Sequence, residues 1–200
     1  MQLWYAPTSP FARKVRIAAG ELGLSDRIEL VEVNPWTDER LRRLNPLGKV
    51  PTLVTDTGAV LFESAVICEY LDSLGPRARL FPSGEARFRA LLLQGLADGA
   101  STAAGRLFAD ERRPENERSA AVMARLSQAI ESTLDALERE SLASDPLTIG
   151  EVSAAALLGY LDFRWPERSF RGERPRLSAW FEIVNQRPSL RATEHHLPGG

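Results

Sequence analysis

The sequence predicts a mixed α/β unit over residues 1–76 and an all-helical unit over 85–200, joined by a linker at 77–84. Three observations carry this. Short apolar runs of strand type occur before Pro82 and disappear after it. Four long stretches of helical period follow. Between the two patterns the chain is rich in proline and glycine, from Gly75-Pro76 to Pro82-Ser83, which is the composition of a joint.

The first unit alternates between two periods. Leu3-Trp4-Tyr5 is a buried strand closed by Pro7. Pro10 to Leu24 is a helix, with Val15, Ala18, Ala19 and Leu22 on one face and Gly23 at its stop. Ile28 to Val33 is a second strand, ended by Asn34-Pro35. Asp38 to Leu44 is a short helix that must stop before Pro46. Val50–Thr55 and Val60–Phe62 are strands joined by a turn at Asp56-Thr57-Gly58. Ser64 to Leu74 is a helix with Val66, Ile67, Tyr70, Leu71 and Leu74 assigned to its buried side. The order βαβαββα is the thioredoxin-like arrangement, and the right-handed crossover rule makes its first two strands parallel. In the second unit, helices are expected at Glu85–Arg112, at Glu115–Leu142 with a seam from Val122 to Leu137, at Thr148–Asp162 and at Arg176–Gln186. The third of these is apolar all round and therefore central. The tail from Thr193 has no periodicity and is expected to be poorly ordered, with His195-His196 solvated.

Composition excludes several classes. The net charge of −2 asks for neither nucleic acid nor an anionic membrane, and no apolar run approaches a bilayer span. A single cysteine, Cys68, rules out an internal disulfide and argues against a cysteine-based zinc site. No metal site is expected. Cys68 lies mid-helix among apolar neighbours, as an inert core thiol does. The N-terminus enters a strand at once, without the pattern of a signal peptide. These features fit a reducing cytoplasm.

The chemistry-bearing stretch is Asn45-Pro46-Leu47-Gly48-Lys49-Val50-Pro51-Thr52-Leu53, followed twelve residues past Pro51 by Glu63-Ser64 at a helix start. A proline at the mouth of a strand leaves an unpaired edge. A cis bond at Val50-Pro51 turns the Val50 backbone N–H and C=O toward a peptide ligand; an ordinary trans turn is the bland alternative. The helix N-terminus at Ser64 offers a carboxylate site, and Glu63 an ammonium acceptor, although Ser64 equally serves as a plain cap. Lys49 can reach a second carboxylate or remain solvated. The small peptide that best fits such a wall is glutathione. Thr8-Ser9-Pro10 precedes the first helix, with Ser9 as N-cap and Pro10 at the first position. A thiol placed there is stabilised as thiolate by the helix dipole and a hydroxyl hydrogen bond, and Thr8 competes with Ser9 for that role. Thr148 and Glu151 form a capping box of purely structural reading. Tyr160, Phe163 and Trp165 are core or the wall of an apolar pocket.

These residues resemble the glutathione S-transferase family. The likeness rests on Ser9-Pro10-Phe11 with Arg13-Lys14-Val15, on Asn45 to Pro51, on Glu63-Ser64 with Ile67 and Glu69-Tyr70-Leu71, and on the box at Thr148 and Glu151. The resemblance implies a thioredoxin-like domain that binds glutathione, a helical domain that helps hold a small electrophile between the two, and a homodimer. It maps the family's cis-proline to Pro51, the main-chain glutathione contact to Val50, the γ-glutamyl contacts to Glu63 and Ser64, and the catalytic residue to Ser9. Thr8 takes that place if the loop follows the family's serine pattern, and Tyr5 if it follows the tyrosine one. Asp98 is the candidate for the acidic residue that, in several classes, the partner subunit lends to the ligand's ammonium. Serine stands where thiol-transferring classes have cysteine. Glutathione itself is then the nucleophile, which favours conjugation or peroxide reduction. Two other readings remain: a non-catalytic interaction or stress-regulatory protein, and a glutathione-dependent isomerase or dehalogenase.

Overall fold

The computed structural model describes residues 1–75 and 80–199. The N-terminal half is a four-stranded sheet in the order β2-β1-β3-β4, with β1 at Gln2–Tyr5, β2 at Glu29–Glu32, β3 at Thr52–Val54 and β4 at Val60–Phe62. β1 runs parallel to β2 and antiparallel to β3, and β3 pairs antiparallel with β4. Three helices accompany it: α1 at Pro10–Glu21, α2 at Glu39–Leu44 and α3 at Ser64–Ser73. This is the thioredoxin-like arrangement. The remainder is helical: α4 at Glu85–Asp110, α5 at Ala120–Arg139, α6 at Ile149–Arg164, α7 at Pro175–Val184 and a short α8 at Pro188–Arg191. Among the described residues no helix is long and apolar enough to cross a membrane.

α1 is the hinge of the molecule, packing on α3 on one side and on α6 and α8 on the other. Ser9 caps it by accepting from the Ala12 N–H at 3.2 Å. It ends at Gly23, in the left-handed region at φ 69°, where Leu24 N–H donates to the Ala19 carbonyl and Gly23 N–H to the Gly20 carbonyl. That pair is a Schellman closure, and it favours glycine because a Cβ disfavours this backbone. Because neighbours cover both faces, Arg13 and Lys14 are buried with Ala12, Val15 and Ile17.

α6 is buried on almost every face, as its composition predicts. It starts with the predicted box: Thr148 Oγ1 accepts from the Gly150 N–H, and Glu151 accepts from the Thr148 backbone and hydroxyl. The expected linker falls partly on residues 76–79, outside the described residues. Within its described part the Leu80 and Phe81 N–H groups donate to the Asp72 carboxylate at 3.0 and 3.3 Å, which ties the approach to the helical half to α3.

Several expectations are corrected. Val66 is half exposed, because α3 turns Ile67, Cys68 and Leu71 inward instead. The helix expected from Glu115 is a 3₁₀ turn at Glu115–Glu117 and then α5, which Ser119 caps by accepting from the Val122 N–H. Val122 is exposed, so the seam begins further along, with Leu126 packed against the core and Ile130 buried in it. The tail is held: Thr193 is buried, and its hydroxyl donates to the Ser189 carbonyl at 2.8 Å. His195 docks against the α1 loop and is not solvated.

Candidate functional site

The loop from α2 to β3 is shaped by Asn45, which is 1% exposed. Its side-chain amide donates to the Lys49 carbonyl at 2.9 Å and to Thr52 Oγ1 at 3.0 Å, while its Oδ1 accepts from the Leu47 N–H at 2.9 Å. One buried amide with all three bonds made fixes the loop more firmly than a solvated side chain does. At its end the Val50–Pro51 bond is cis, the sequence alternative that carried the peptide-wall reading.

Glu63 is the one non-glycine residue at positive φ among the described residues, at φ 69°. Non-glycine residues held in that region concentrate at ligand sites. Glu63 immediately precedes α3, which begins without a side-chain cap, so the first N–H donors of this ten-residue helix are open at its start.

These pieces meet in one cavity of about 380 Å³. Lys49, Val50 and Pro51 line one side with Asn45, and Glu63, Ser64 and Ala65 line another. Asp98, Gly99 and Thr102 of α4 close it from the helical half, and Phe11 of α1 also lines it. The structure thus brings together Lys49, Val50, Pro51, Glu63 and Ser64. Thr8 and Ser9 are not among the residues lining the cavity; they sit three and two residues before Phe11, which is.

Asp98 lies on this same subunit's cavity wall, whereas the resemblance assigned such a residue to the partner. Lys14 Nζ donates to Asp98 Oδ2 at 2.6 Å, with the Lys14 side chain 1% exposed. Burial raises the Asp98 carboxyl above its ordinary range; Lys14 pulls it back, and the charge of Glu63 pushes it up again. A cation entering the cavity therefore meets the carboxylates of Glu63 and Asp98, the latter already paired with Lys14.

The loop bearing Thr8 and Ser9 is held from behind. His195 stacks on Phe163 with ring centroids 5.3 Å apart, and its Nδ1 lies 2.9 Å from the Pro7 carbonyl. A carbonyl only accepts, so Nδ1 carries the proton and Nε2 is left as the basic nitrogen. Burial, then the Arg13 charge, pushes the imidazole down to about 3, against the Pro7 bond. Tyr5 is less suited to thiol activation than the loop hydroxyls: its hydroxyl faces Glu32 at 3.4 Å, and burial raises its pKa. Cys68 is fully buried, which pushes its thiol up to about 12. Among the described residues no group of three or more His, Cys, Asp or Glu side chains could hold a metal ion.

Sequence reasoning assigned no role to Asn45, Lys14 or the docking of His195. Asn45 stood inside the quoted motif, and its asparagine-proline pair is a turn signal. The others carry no local signal, because their partners lie far along the chain.

The N-terminal domain model of the glutathione S-transferases matches residues 8–74, and their C-terminal domain model matches 120–182. The GST-like protein YibF of Escherichia coli K12 is 31% identical over 200 residues, covering 97% of this chain and 98% of its own. The chain belongs to the glutathione S-transferase family. A glutathione transferase family member from Pseudomonas fluorescens Pf-5, solved with bound glutathione, is 36% identical with a TM-score of 0.92, covering 98% of this chain and 99% of that one. A stringent starvation protein A homologue from Coxiella burnetii is 43% identical over 82 residues, 41% of this chain and 38% of its own. The N-terminal transferase match contains every candidate ligand residue from Thr8 to Ser64; Asp98 lies outside both matched segments.

Proposed function

We propose that this chain binds reduced glutathione in the cavity between α3, α4 and the cis-Pro51 loop and activates its thiol for attack on a small electrophile or peroxide. The observation that carries the reading is the convergence of Val50, Pro51, Glu63 and Ser64 on one cavity, beside an uncapped helix start. The γ-glutamyl carboxylate takes the α3 N-terminus and the Ser64 hydroxyl, and its ammonium sits between Glu63 and Asp98. Val50 pairs with the cysteinyl backbone, and Lys49 meets the glycyl carboxylate. The thiol then lies toward Phe11 and Ser9. Ser9 Oγ already accepts from the Ala12 N–H, so its own proton is free to donate to a thiolate. Thr8 is the alternative donor. Without a cysteine in this loop the protein has no residue there to form a mixed disulfide, which supports conjugation or peroxide reduction over thiol transfer.

The reading extends to assembly and location. Residues 1–76 form the glutathione-binding domain and 85–200 the helical domain, with 77–84 between them. Val66 of α3 and Phe88 and Leu92 of α4 are 50%, 73% and 72% exposed, and Phe88 and Leu92 share one helix face. Apolar side chains of that size left bare support a homodimer through this face. Reduced glutathione implies a reducing compartment such as the cytoplasm. A second reading, a regulatory protein that keeps the pocket without turnover, is favoured by the likeness to the starvation protein homologue over the N-terminal part.

Calorimetric titration with reduced glutathione tests the first reading. Saturable binding with a dissociation constant at or below about 1 mM, or about −4 kcal/mol, is expected. An ultraviolet titration of the bound thiolate then separates the roles: Ser9→Ala raises the pKa of the bound thiol with affinity nearly unchanged. Absence of binding at millimolar glutathione rejects the pocket assignment, and binding without thiolate formation favours the regulatory reading.

A further inference from the structure

The chain leading into α1 is a turn held from the helical half. Ser9 N–H donates to the Ala6 carbonyl at 3.0 Å, which makes residues 6–9 a β-turn with Pro7 and Thr8 at its centre. Thr8 is not at positive φ, so the turn is not of type II. The central peptide of such a turn, here between Pro7 and Thr8, is the part that no bond of the turn itself fixes. Its oxygen is taken from outside: His195 Nδ1 donates to the Pro7 carbonyl at 2.9 Å. The next oxygen, that of Thr8, accepts from Arg164 Nη2 at a longer 3.5 Å. Both peptide planes before Ser9 are therefore answered by the C-terminal half.

The two donors belong to one block on the last turns of α6. His195 stacks on Phe163 with centroids 5.3 Å apart and meets Tyr160 edge-on at 5.6 Å, and the Arg164 guanidinium lies 4.8 and 5.2 Å from the same two rings. The tail that delivers His195 is itself pinned. Arg13 Nη2 donates to the Leu190 carbonyl at 3.4 Å, Arg16 Nη2 to the Ala192 carbonyl at 3.2 Å, and the Thr193 hydroxyl to the Ser189 carbonyl at 2.8 Å. Arg13 and Arg16 of α1 and Arg164 of α6 set their charges near the imidazole, and its Nε2 is buried without a partner. The ring therefore stays neutral, with its one proton on Nδ1 for the Pro7 carbonyl.

We infer that His195 is a positioning residue for thiol activation: its Nδ1–H, bonded to the Pro7 carbonyl, fixes the turn that aims the loop hydroxyl of Ser9 or Thr8 at the glutathione sulfur. This rests on the glutathione reading above. The contacts proposed for the rest of the ligand, at Val50, Glu63 and Ser64, lie on other elements. Loosening the turn therefore leaves the peptide bound and moves the hydroxyl off its sulfur. A misplacement of about 1 Å is enough to lose most of such a contribution.

Two variants of the full chain separate the donor from the ring. His195→Phe keeps a flat ring to stack on Phe163 and has no donor. His195→Asn gives up the ring and keeps an N–H at the same number of bonds from Cβ as Nδ1. For each, calorimetry gives the glutathione affinity and ultraviolet titration the pKa of the bound thiol. In His195→Phe that pKa is expected to rise by about one unit, or about tenfold less thiolate at a pH below it, with affinity within about twofold. In His195→Asn it stays near that of the unaltered protein. Ser9→Ala raises the same pKa, and adding His195→Phe to it brings no further rise, because the imidazole acts through the hydroxyl; if Thr8→Val is the variant that raises it, the pairing is made there. An unchanged thiol pKa in His195→Phe overturns the inference. So does a rise in His195→Asn as large as in His195→Phe, or additive rises in the double variant. A matching loss of glutathione affinity in His195→Phe marks a purely structural residue and overturns it too. In the unaltered protein, absence of glutathione binding, or a bound thiol that titrates as free glutathione does, overturns the glutathione reading and this inference together, and is seen before any variant is compared.

Discussion

Replacing His195 with glutamine removes an acid-sensitive tie between the C-terminal tail and the loop that carries Ser9. In the folded protein the imidazole titrates at about 3, lowered mainly by burial and by the charge of Arg13, with Arg164 and Arg16 adding to it. In the unfolded chain it takes up a proton near 6.5. Between those values the unfolded state holds more protons, so stability is lost as pH falls from about 6.5 toward 3. At pH 5 the linkage relation gives a loss of about 2 kcal/mol, an upper value for a half-buried ring. Against a typical total of roughly 5–15 kcal/mol this is readily measured.

Urea unfolding at pH 7.5 and pH 5.0, at one protein concentration, isolates the effect, because all other titrating groups are common to both proteins. His195→Gln loses its stack on Phe163 and is the less stable of the two at pH 7.5. Between the two pH values the unaltered protein should lose about 2 kcal/mol more than the variant. Parallel losses within about 0.5 kcal/mol, the usual scale of non-additivity, refute the reasoning: the imidazole then titrates normally and the tail does not bury it.

Ser64→Ala should weaken glutathione binding by about 1–3 kcal/mol, because a bound carboxylate loses a donor at a buried position; equal dissociation constants remove Ser64 from the site. Asp98, held above its ordinary pKa in the free protein, should be driven toward its charged form by the ligand's ammonium. Glutathione affinity therefore falls as pH is lowered through the Asp98 titration, and Asp98→Asn flattens that profile in calorimetry across the range. Gly159→Ala places a Cβ 1.8 Å from Arg13 Nη1, so the buried guanidinium must shift and give up its bond to the Leu190 carbonyl, which should cost about 1–3 kcal/mol in chemical unfolding. Unchanged stability would mean that Arg13 has another resting place.

The sheet and α1 to α4 are legible because each is signalled by neighbours in sequence. Ser9-Pro10 starts α1, Gly23 ends it, and Pro46 stops α2. The cavity wall is legible for the same reason: Val50-Pro51 and Glu63-Ser64 lie at the mouths of adjacent elements, so a strand and a helix start bring them together. Where signals fade, errors follow. Val66 has the composition of a core residue and is half exposed, since an apolar residue on a face left bare looks in sequence like one that is covered. α8 is one turn long and begins at Pro188, which reads only as the end of α7.

The charged residues of α1 show why the rest of the site is not legible. Arg13 and Lys14 stand just after Ser9-Pro10-Phe11, where charged residues of a helix ordinarily face solvent, but α1 has no solvated side at that point. α3 covers one face and α6 and α8 the other, so both charges are buried and each must be answered from far away: Lys14 by Asp98, 84 residues on, and Arg13 by the Leu190 carbonyl, 177 residues on. A pair of this kind costs more to break than to keep, roughly 3–5 kcal/mol when one partner is removed. The consequence for function is a division of labour along one helix. Its N-terminus carries the loop proposed to meet the ligand's thiol, while Arg13 and Lys14, one turn further on, tie the thioredoxin-like half to the helical half. The Lys14–Asp98 contact does both, because Asp98 is also a wall of the cavity. Altering Lys14 should therefore disturb ligand affinity and the joining of the two halves together, which no inspection of α1 alone foretells.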